Sequence, residues 1–277
     1  MTNSTSRSAS LVITWLGHAT VLVEIDGVRL MTDPVLRGRL GPLVRIAPPV
    51  PREAVGTVDG VLLSHLHSDH TDIPTLRALA RSGPIVAPAP AGSWLAGRRI
   101  PDARELAAGE EMTIRGVRVT AVPAMQDPRR RPFGPAADPI GYVISGSSSV
   151  YFAGDTDLFD AMEALRGSVD VALLPVWGWG ASLGPGHLDP ERAAEAAAVI
   201  APTVAIPIHW GTLALGWPAR RPADPQSPAR EFAAAVTRRA PGVEVRVLIP
   251  GERLALSLAP RDEARSPGSD DEPPGHG

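Results

Sequence analysis

The string Ser-His-Leu-His-Ser-Asp-His, residues 64–70, follows directly on the apolar run Val-Asp-Gly-Val-Leu-Leu, and no other stretch constrains the fold of this chain so tightly. A short apolar run of this kind reads as a strand buried on both faces. The polar residues behind it must then leave the sheet in a loop at its carboxyl edge, where α/β proteins gather ligands. Two histidines one residue apart lie on the same side of an extended backbone. His65 and His67 can therefore grip one ion while Asp69 and His70 turn toward a neighbouring one.

Two further apolar strands end in the same fashion. Val-Tyr-Phe-Ala-Gly-Asp-Thr carries Asp155, and Val-Ala-Ile-Pro-Ile-His-Trp-Gly-Thr carries His209. Three strand ends would thus deliver imidazoles and carboxylates to one rim. Cysteine is absent, which excludes thiol nucleophiles, thiolate zinc sites and disulfides together. Lysine is absent as well, which removes Schiff-base chemistry and the lysine-bearing phosphate loop. What remains is nitrogen and oxygen ligation of a divalent metal, one or two ions, with zinc the first choice and Mn or Fe the alternatives.

The rest of the chain is punctuated by turn and cap residues. Leu11–Leu16 and Thr20–Ile25 read as strands, and Asp26-Gly27 makes a tight hairpin into Val28–Thr32. A proline-rich connector, 34–51, leads to the first ligand strand. Asp72 then caps a helix with Pro74 in its first turn and Leu76 and Leu79 on one face. From Glu111 the grammar repeats, with strands at 111–115, 117–122, 140–145, 150–153 and 169–176. A helix capped by Asp189, with Pro190 behind it, runs to about Ile200, followed by a strand at 204–208. A last helix at 228–239 precedes strands at 243–249 and 253–258. Two successive blocks, each of antiparallel strands followed by strand–helix units, predict two facing β-sheets with helices outside. One domain is expected over 11–259, between a flexible start (1–10) and a disordered tail (260–277) in which His276 is solvated.

A net charge of -3 offers no basic field for a nucleic-acid backbone, and no run reaches the roughly 18 apolar residues of a membrane span. The opening Met-Thr-Asn-Ser-Thr-Ser-Arg-Ser-Ala-Ser lacks the apolar core of a secretory signal. A cytoplasmic protein with a small-molecule substrate, without nucleic acid or membrane insertion, is expected. Oligomeric state leaves no mark on the sequence.

The motifs His-Leu-His-Ser-Asp-His, Gly-Asp-Thr and Pro-Ile-His-Trp-Gly-Thr resemble the metal-binding motifs of the metallo-β-lactamase superfamily, over roughly residues 11–258. Trp-Leu-Gly-His-Ala-Thr, Thr-Asp-Pro-Val and Gly-His-Leu-Asp-Pro-Glu-Arg-Ala resemble the branch that includes ascorbate-6-phosphate lactonase and N-acyl-phosphatidylethanolamine phospholipase D. The resemblance implies an α/β fold, an αββα sandwich of two facing mixed sheets, with a two-metal site between them. It further implies that His65 and His67 bind the first metal, that Asp69, His70 and His209 bind the second, and that Asp155 bridges. The family usually supplies another first-metal histidine where this chain has Val-Pro-Ala-Met-Gln-Asp, and Gln126 stands at that place. Three outcomes stay open: Gln126 or Asp127 substitutes, His187 swings in, or the protein is a one-metal or inactive relative.

The expected chemistry is attack by metal-bound hydroxide on a small ester, lactone or phosphodiester, with Asp69 orienting the nucleophile and His187 serving the leaving group. The alternative is a non-catalytic metal- or ligand-binding relative with a degenerate first site. His18 and Asp33 are expected to support the ligands from behind. Trp177, Trp179, Trp210 and Trp217 are candidates to wall an apolar pocket, and Arg129, Arg130 and Arg131 to hold a phosphate or carboxylate at the rim.

Overall fold

The computed structural model describes residues 11–130, 134–179, 184–216 and 224–258. The expected flexible start and tail, His276, Arg131 and Trp217 lie outside the described residues. Two seven-stranded sheets form the body. The first runs, edge to edge, Arg253–Leu256, Leu11–Gly17, Thr20–Ile25, Val28–Thr32, Gly60–Leu62, Ile85–Pro88, Ala103–Leu106. Its first four strands pair antiparallel and the rest parallel. The second runs Glu244–Val245, Val204–Ile208, Val171–Pro175, Ser149–Phe152, Ile140–Ser145, Val117–Pro123, Glu111–Ile114. Here the parallel strands come first and the antiparallel meander last. Each sequence block builds its own sheet except that the last strand, Arg253–Leu256, crosses back to pair with Leu11–Gly17 in the first, and the two sheets form the expected αββα sandwich.

Alternation along the strands shows why. In the first sheet Ile13, Trp15, Val21, Val23, Leu30 and Leu62 join one buried cluster with Tyr142, Ile144 and Phe152 of the second sheet. Their neighbours Leu16, Leu22, Met31, Val61 and Leu63 join another with Leu76 and Leu95 from the helices Ile73–Ala78 and Gly92–Ala96. Period-two patterning with both faces apolar leaves these strands no stable place but between two layers. On the outer face of the second sheet, the helix Pro190–Ile200 buries Ala193, Ala194, Ala196, Ala197 and Ile200. The helix Ser227–Arg239 beside it buries Phe232, Ala235 and Val236.

The turn chemistry is as expected. Asp26 and Gly27 both hold positive φ, 52° and 79°, the backbone that a two-residue hairpin requires, and Ile25 pairs with Val28 across it. Asp72 accepts from Thr75 N at 3.2 Å, and Asp189 accepts from Arg192 N at 2.9 Å.

Three features differ from the sequence reading. The proline-rich connector holds two short strands, Arg39–Leu40 and Leu43–Arg45, which pair with Leu213–Leu215 around Leu40, Leu43 and Leu213. Strands of two or three residues carry no readable period. Ile85–Pro88 and Ala103–Leu106 extend the parallel half of the first sheet, and a 3-10 helix spans Asp160–Leu165. The strand expected over 243–249 shrinks to Glu244–Val245. Its ladder ends where Arg246 N donates to Ala205 O, and Ile249 is 56% exposed. Among the described residues no helix is long and apolar enough to cross a membrane.

Replacing Asp189 with Ala leaves the Arg192 amide without its acceptor and is expected to cost about 1 kcal/mol of stability. Asp189→Asn, which keeps an acceptor oxygen, should recover most of that loss. The midpoint of urea unfolding measures both.

Candidate metal centre

The carboxyl ends of three parallel strands meet at one edge of the sandwich. Gly60–Leu62 leads to His65, His67, Asp69 and His70; Ser149–Phe152 leads to Asp155; Val204–Ile208 leads to His209. The backbone is bent to bring them together. Asp33 and His209 sit at positive φ, 32° and 67°, as does His18 at 54°, and His209 N donates to His18 O at 2.9 Å. Non-glycine residues tolerate such torsions only where surrounding contacts hold them.

Each inward imidazole has its tautomer set by an acceptor behind it. His70 Nδ1 donates to Asp33 Oδ2 at 2.7 Å. Ser64 Oγ gives its proton to Asp33 Oδ2 (2.5 Å), so it accepts from His65 Nδ1 at 3.0 Å. His209 Nδ1 donates to the Trp177 carbonyl. His67 Nε2 donates to the Arg129 carbonyl at 3.1 Å, and His187 Nδ1 to the Pro185 carbonyl at 3.2 Å. In His65, His67 and His209, which burial keeps neutral, the opposite nitrogen then carries a lone pair; the carboxylates beside His70 and His187 raise the pKa of those two rings, whose inward nitrogens give up a proton when a metal ion takes its place.

Three of these inward nitrogens lie against Asp155. Its Oδ2 is 3.2 Å from His70 Nε2 and 3.4 Å from His187 Nε2, and its Oδ1 is 3.0 Å from His209 Nε2. His70 Nε2 and His209 Nε2 are 3.1 Å apart. Two ligands each about 2.1 Å from a shared ion stand about 3.0–3.4 Å apart at octahedral to tetrahedral angles. His65 Nε2 and Asp155 Oδ1 are buried with no hydrogen-bond partner, Oδ1 being close to His209 but facing a nitrogen without a proton. Orphaned buried acceptors, donor separations of this size and an imidazole–carboxylate set fit a divalent ion.

Electrostatics give the same answer. Burial drives His65 well below the usual imidazole range and His209 down to about 3, so both stay neutral; burial and the charge of His70 lower His67 as well. Burial also works to raise Asp155, but His209 and His70 outweigh it and hold the carboxyl well below its ordinary value. Asp69 follows the same pattern, with the His18 hydrogen bond and the charge of His70 overcoming burial. At His70 the balance reverses: burial opposes charge, yet Asp155 and Asp33 hold its pKa well above normal. Burial raises Asp33, against the pull of His70. The pocket is anionic at its centre and calls for added positive charge, a proton or a metal ion.

His18 and Asp33 each contact candidate ligands. Asp33 is saturated by Ser64 N (2.7 Å), Ser64 Oγ and His70 Nδ1, and His18 Nε2 donates to Asp69 Oδ2 at 3.2 Å. The pocket residues divide. Trp179, exposed, donates its indole N–H to Asp69 Oδ2 at 2.8 Å, and Trp177 contributes its carbonyl to His209. Trp210 is buried against Trp15, ring centroids 4.7 Å apart, and belongs to the core. Arg130 lies 4.9 Å over the Trp94 ring and donates to the carbonyls of Leu66 and Thr71, bracing the ligand loop. Arg129 is exposed at the rim. Gln126 turns toward the His187 loop, its amide nitrogen 3.0 Å from His187 Nε2. Sequence reasoning missed the Trp179–Asp69 bond and the Arg130 brace, because neither follows from spacing.

Comparisons with known proteins agree with this geometry. Residues 28–210 match the model of the beta-lactamase superfamily domain. A UPF0173 metal-dependent hydrolase of Methanopyrus kandleri is 34% identical, covering 87% of this chain and 97% of the relative. N-acyl-phosphatidylethanolamine-hydrolyzing phospholipase D 1 of Caenorhabditis elegans is 29% identical, covering 75% of this chain and 66% of the relative. The solved structure of Igni18, a metallo hydrolase from Ignicoccus hospitalis, superposes with a TM-score of 0.69 at 25% identity, over 90% of this chain and 100% of that one. With ligand-bearing strand ends, paired mixed sheets and these relatives in agreement, the chain belongs to the metallo-β-lactamase superfamily of metal-dependent hydrolases.

Proposed function

We propose that the protein hydrolyses a small ester, lactone or phosphodiester at a zinc centre formed by His65, His67, Asp69, His70, Asp155 and His209. The observation that carries this reading is the set of buried imidazoles, each held by an acceptor on its outer nitrogen, of which His70 and His209 turn the inner nitrogen onto one buried carboxylate while the inner nitrogen of His65 has no partner. A divalent ion held there would supply Lewis acidity and a water acidic enough to act as nucleophile near neutral pH. The protein's own part is positioning. Asp69 Oδ2 is fixed by His18 and Trp179, which leaves Oδ1 to orient the attacking nucleophile and hold its proton; the depressed pKa keeps the carboxylate ionised. Arg129 and Trp179 are exposed at the rim, where they would meet an anionic group and an apolar one, while Trp177 packs against the core.

A cavity of about 450 Å³ opens beside the centre at Gln126, lined by Pro90, Leu106, Pro123, Met125 and Ile140. Its size and apolar walls suit a small molecule with a hydrophobic portion. His187 stands at the partly exposed rim beside Asp155, which raises its pKa against burial, and would serve the leaving group where it is not held by an ion.

Protein purified without chelator is expected to carry zinc and to hydrolyse bis(p-nitrophenyl) phosphate or a simple lactone. His65→Ala should lose both metal and turnover, whereas metal without turnover would mark a binding protein instead. Asp33→Ala strips the acceptor from His70 and is expected to weaken metal affinity or activity by about 10–100-fold, measured by competition with a chromophoric chelator. Met125→Asp should raise KM for substrates with an apolar arm and leave metal content unchanged; an unchanged KM would remove the cavity from the substrate path.

A further inference from the structure

The loop that carries His187 rests directly on position 126. Gly186 adopts φ +81°, and a Cβ placed there would stand 2.5 Å from Gln126 Oε1 and 3.2 Å from its Cα. A side chain at 186 would therefore push loop and glutamine apart. Gln126 is itself oriented, because its Oε1 accepts from Asp127 N at 2.7 Å. The atom left to face His187 Nε2, at 3.0 Å, is the amide nitrogen, a donor. On its other side His187 gives the Nδ1 proton to the Pro185 carbonyl. Both contacts put the lone pair on Nε2.

That lone pair lies 3.4 Å from Asp155 Oδ2, the oxygen that also stands 3.2 Å from His70 Nε2. A lone pair and a carboxylate oxygen repel at this distance unless positive charge, a proton or a metal ion, lies between them. The separation is the one that two donors, each about 2.1 Å from a shared ion, take at a tetrahedral angle. The side chain is 24% exposed, so it can adjust at the rim without opening the core.

We propose that His187 is a metal ligand, supplying from the 184–187 loop the imidazole that position 126 lacks, with Gln126 as the residue that orients it. The proposal rests on the metal site of the hydrolase reading. It assigns the first ion the donors His65, His67 and His187 beside the Asp155 carboxylate. Gln126 acts through His187 and is a positioning residue. Its amide N–H points the imidazole, and its close fit to Gly186 fixes how far the loop descends.

The test is metal binding rather than turnover. The protein is stripped, reloaded with Co(II), and followed by metal analysis, chelator competition and the visible d–d bands. His187→Ala is expected to weaken one class of site by about 10–100-fold and alter its bands. Gly186→Ala should act in the same direction by displacing the loop. Gln126→His placed on the His187→Ala background should restore occupancy by returning an imidazole from the other side. Circular dichroism confirms that each variant is folded. If wild type binds cobalt and His65→Ala loses it while His187→Ala keeps both stoichiometry and bands, His187 is no ligand and only this proposal falls. If wild type takes up no metal, the hydrolase reading falls with it.

Discussion

The site depends on one arrangement of charge: a buried carboxylate, Asp155, ringed by the nitrogens of His70, His187 and His209 and calling for positive charge among them. Asp33, Ser64, Trp177 and Pro185 each take the proton from the far side of a ring. Removing such an acceptor would free the ring to turn its proton inward, and the lone pair would be lost to the ion. The acceptors behind the ligands therefore matter as much as the ligands. This is also why a buried pocket so rich in nitrogen and oxygen is tolerable. Its unmet acceptors, His65 Nε2 and Asp155 Oδ1, would each cost about 1–3 kcal/mol if left without a partner.

The two-sheet fold is what makes such an arrangement possible. No single strand could present these groups, since a strand carries side chains alternately to both faces. Parallel strands from both sheets end at one edge, and the chain leaves each of them in a loop that bends sharply. Asp33 and His209, one from each sheet, sit at positive φ, and the His209–His18 backbone bond ties the two halves across the site. Strain at these positions is offset by the hydrogen bonds it allows, as the saturated carboxylate of Asp33 shows.

What was legible in the sequence follows from this. Period-two patterning located the strands of both meanders, Asp26-Gly27 the hairpin, and Asp72 and Asp189 the helix starts, because each is decided within a few residues. The candidate ligand cluster was legible because histidines two and three positions apart after an apolar run are rare without a shared purpose. The strands at 39–40, 43–45 and 213–215 were not, since they are too short for a period and form only where distant segments meet. Arg130 reads from sequence as a rim cation. In the fold it lies against Trp94 and the Leu66 and Thr71 carbonyls, and burial lowers its pKa, contacts that depend wholly on how two loops cross. Trp179 likewise reads as a pocket wall and proves to hold Asp69 by its indole N–H.

Gln126 is instructive in this light. His65, His70, His209 and Asp155 are almost wholly buried, so losing any one of them would strand a partner with no water to replace it. His67, Gln126 and His187 lie at the partly exposed rim. A substitution there leaves no orphan, because solvent or a neighbouring side chain can fill the gap. The departure from the family pattern falls on the side of the site where physics tolerates it. Position 126 adjoins both His187 and the apolar cavity, so a glutamine there is free to serve the neighbouring imidazole and the substrate wall in place of the ion.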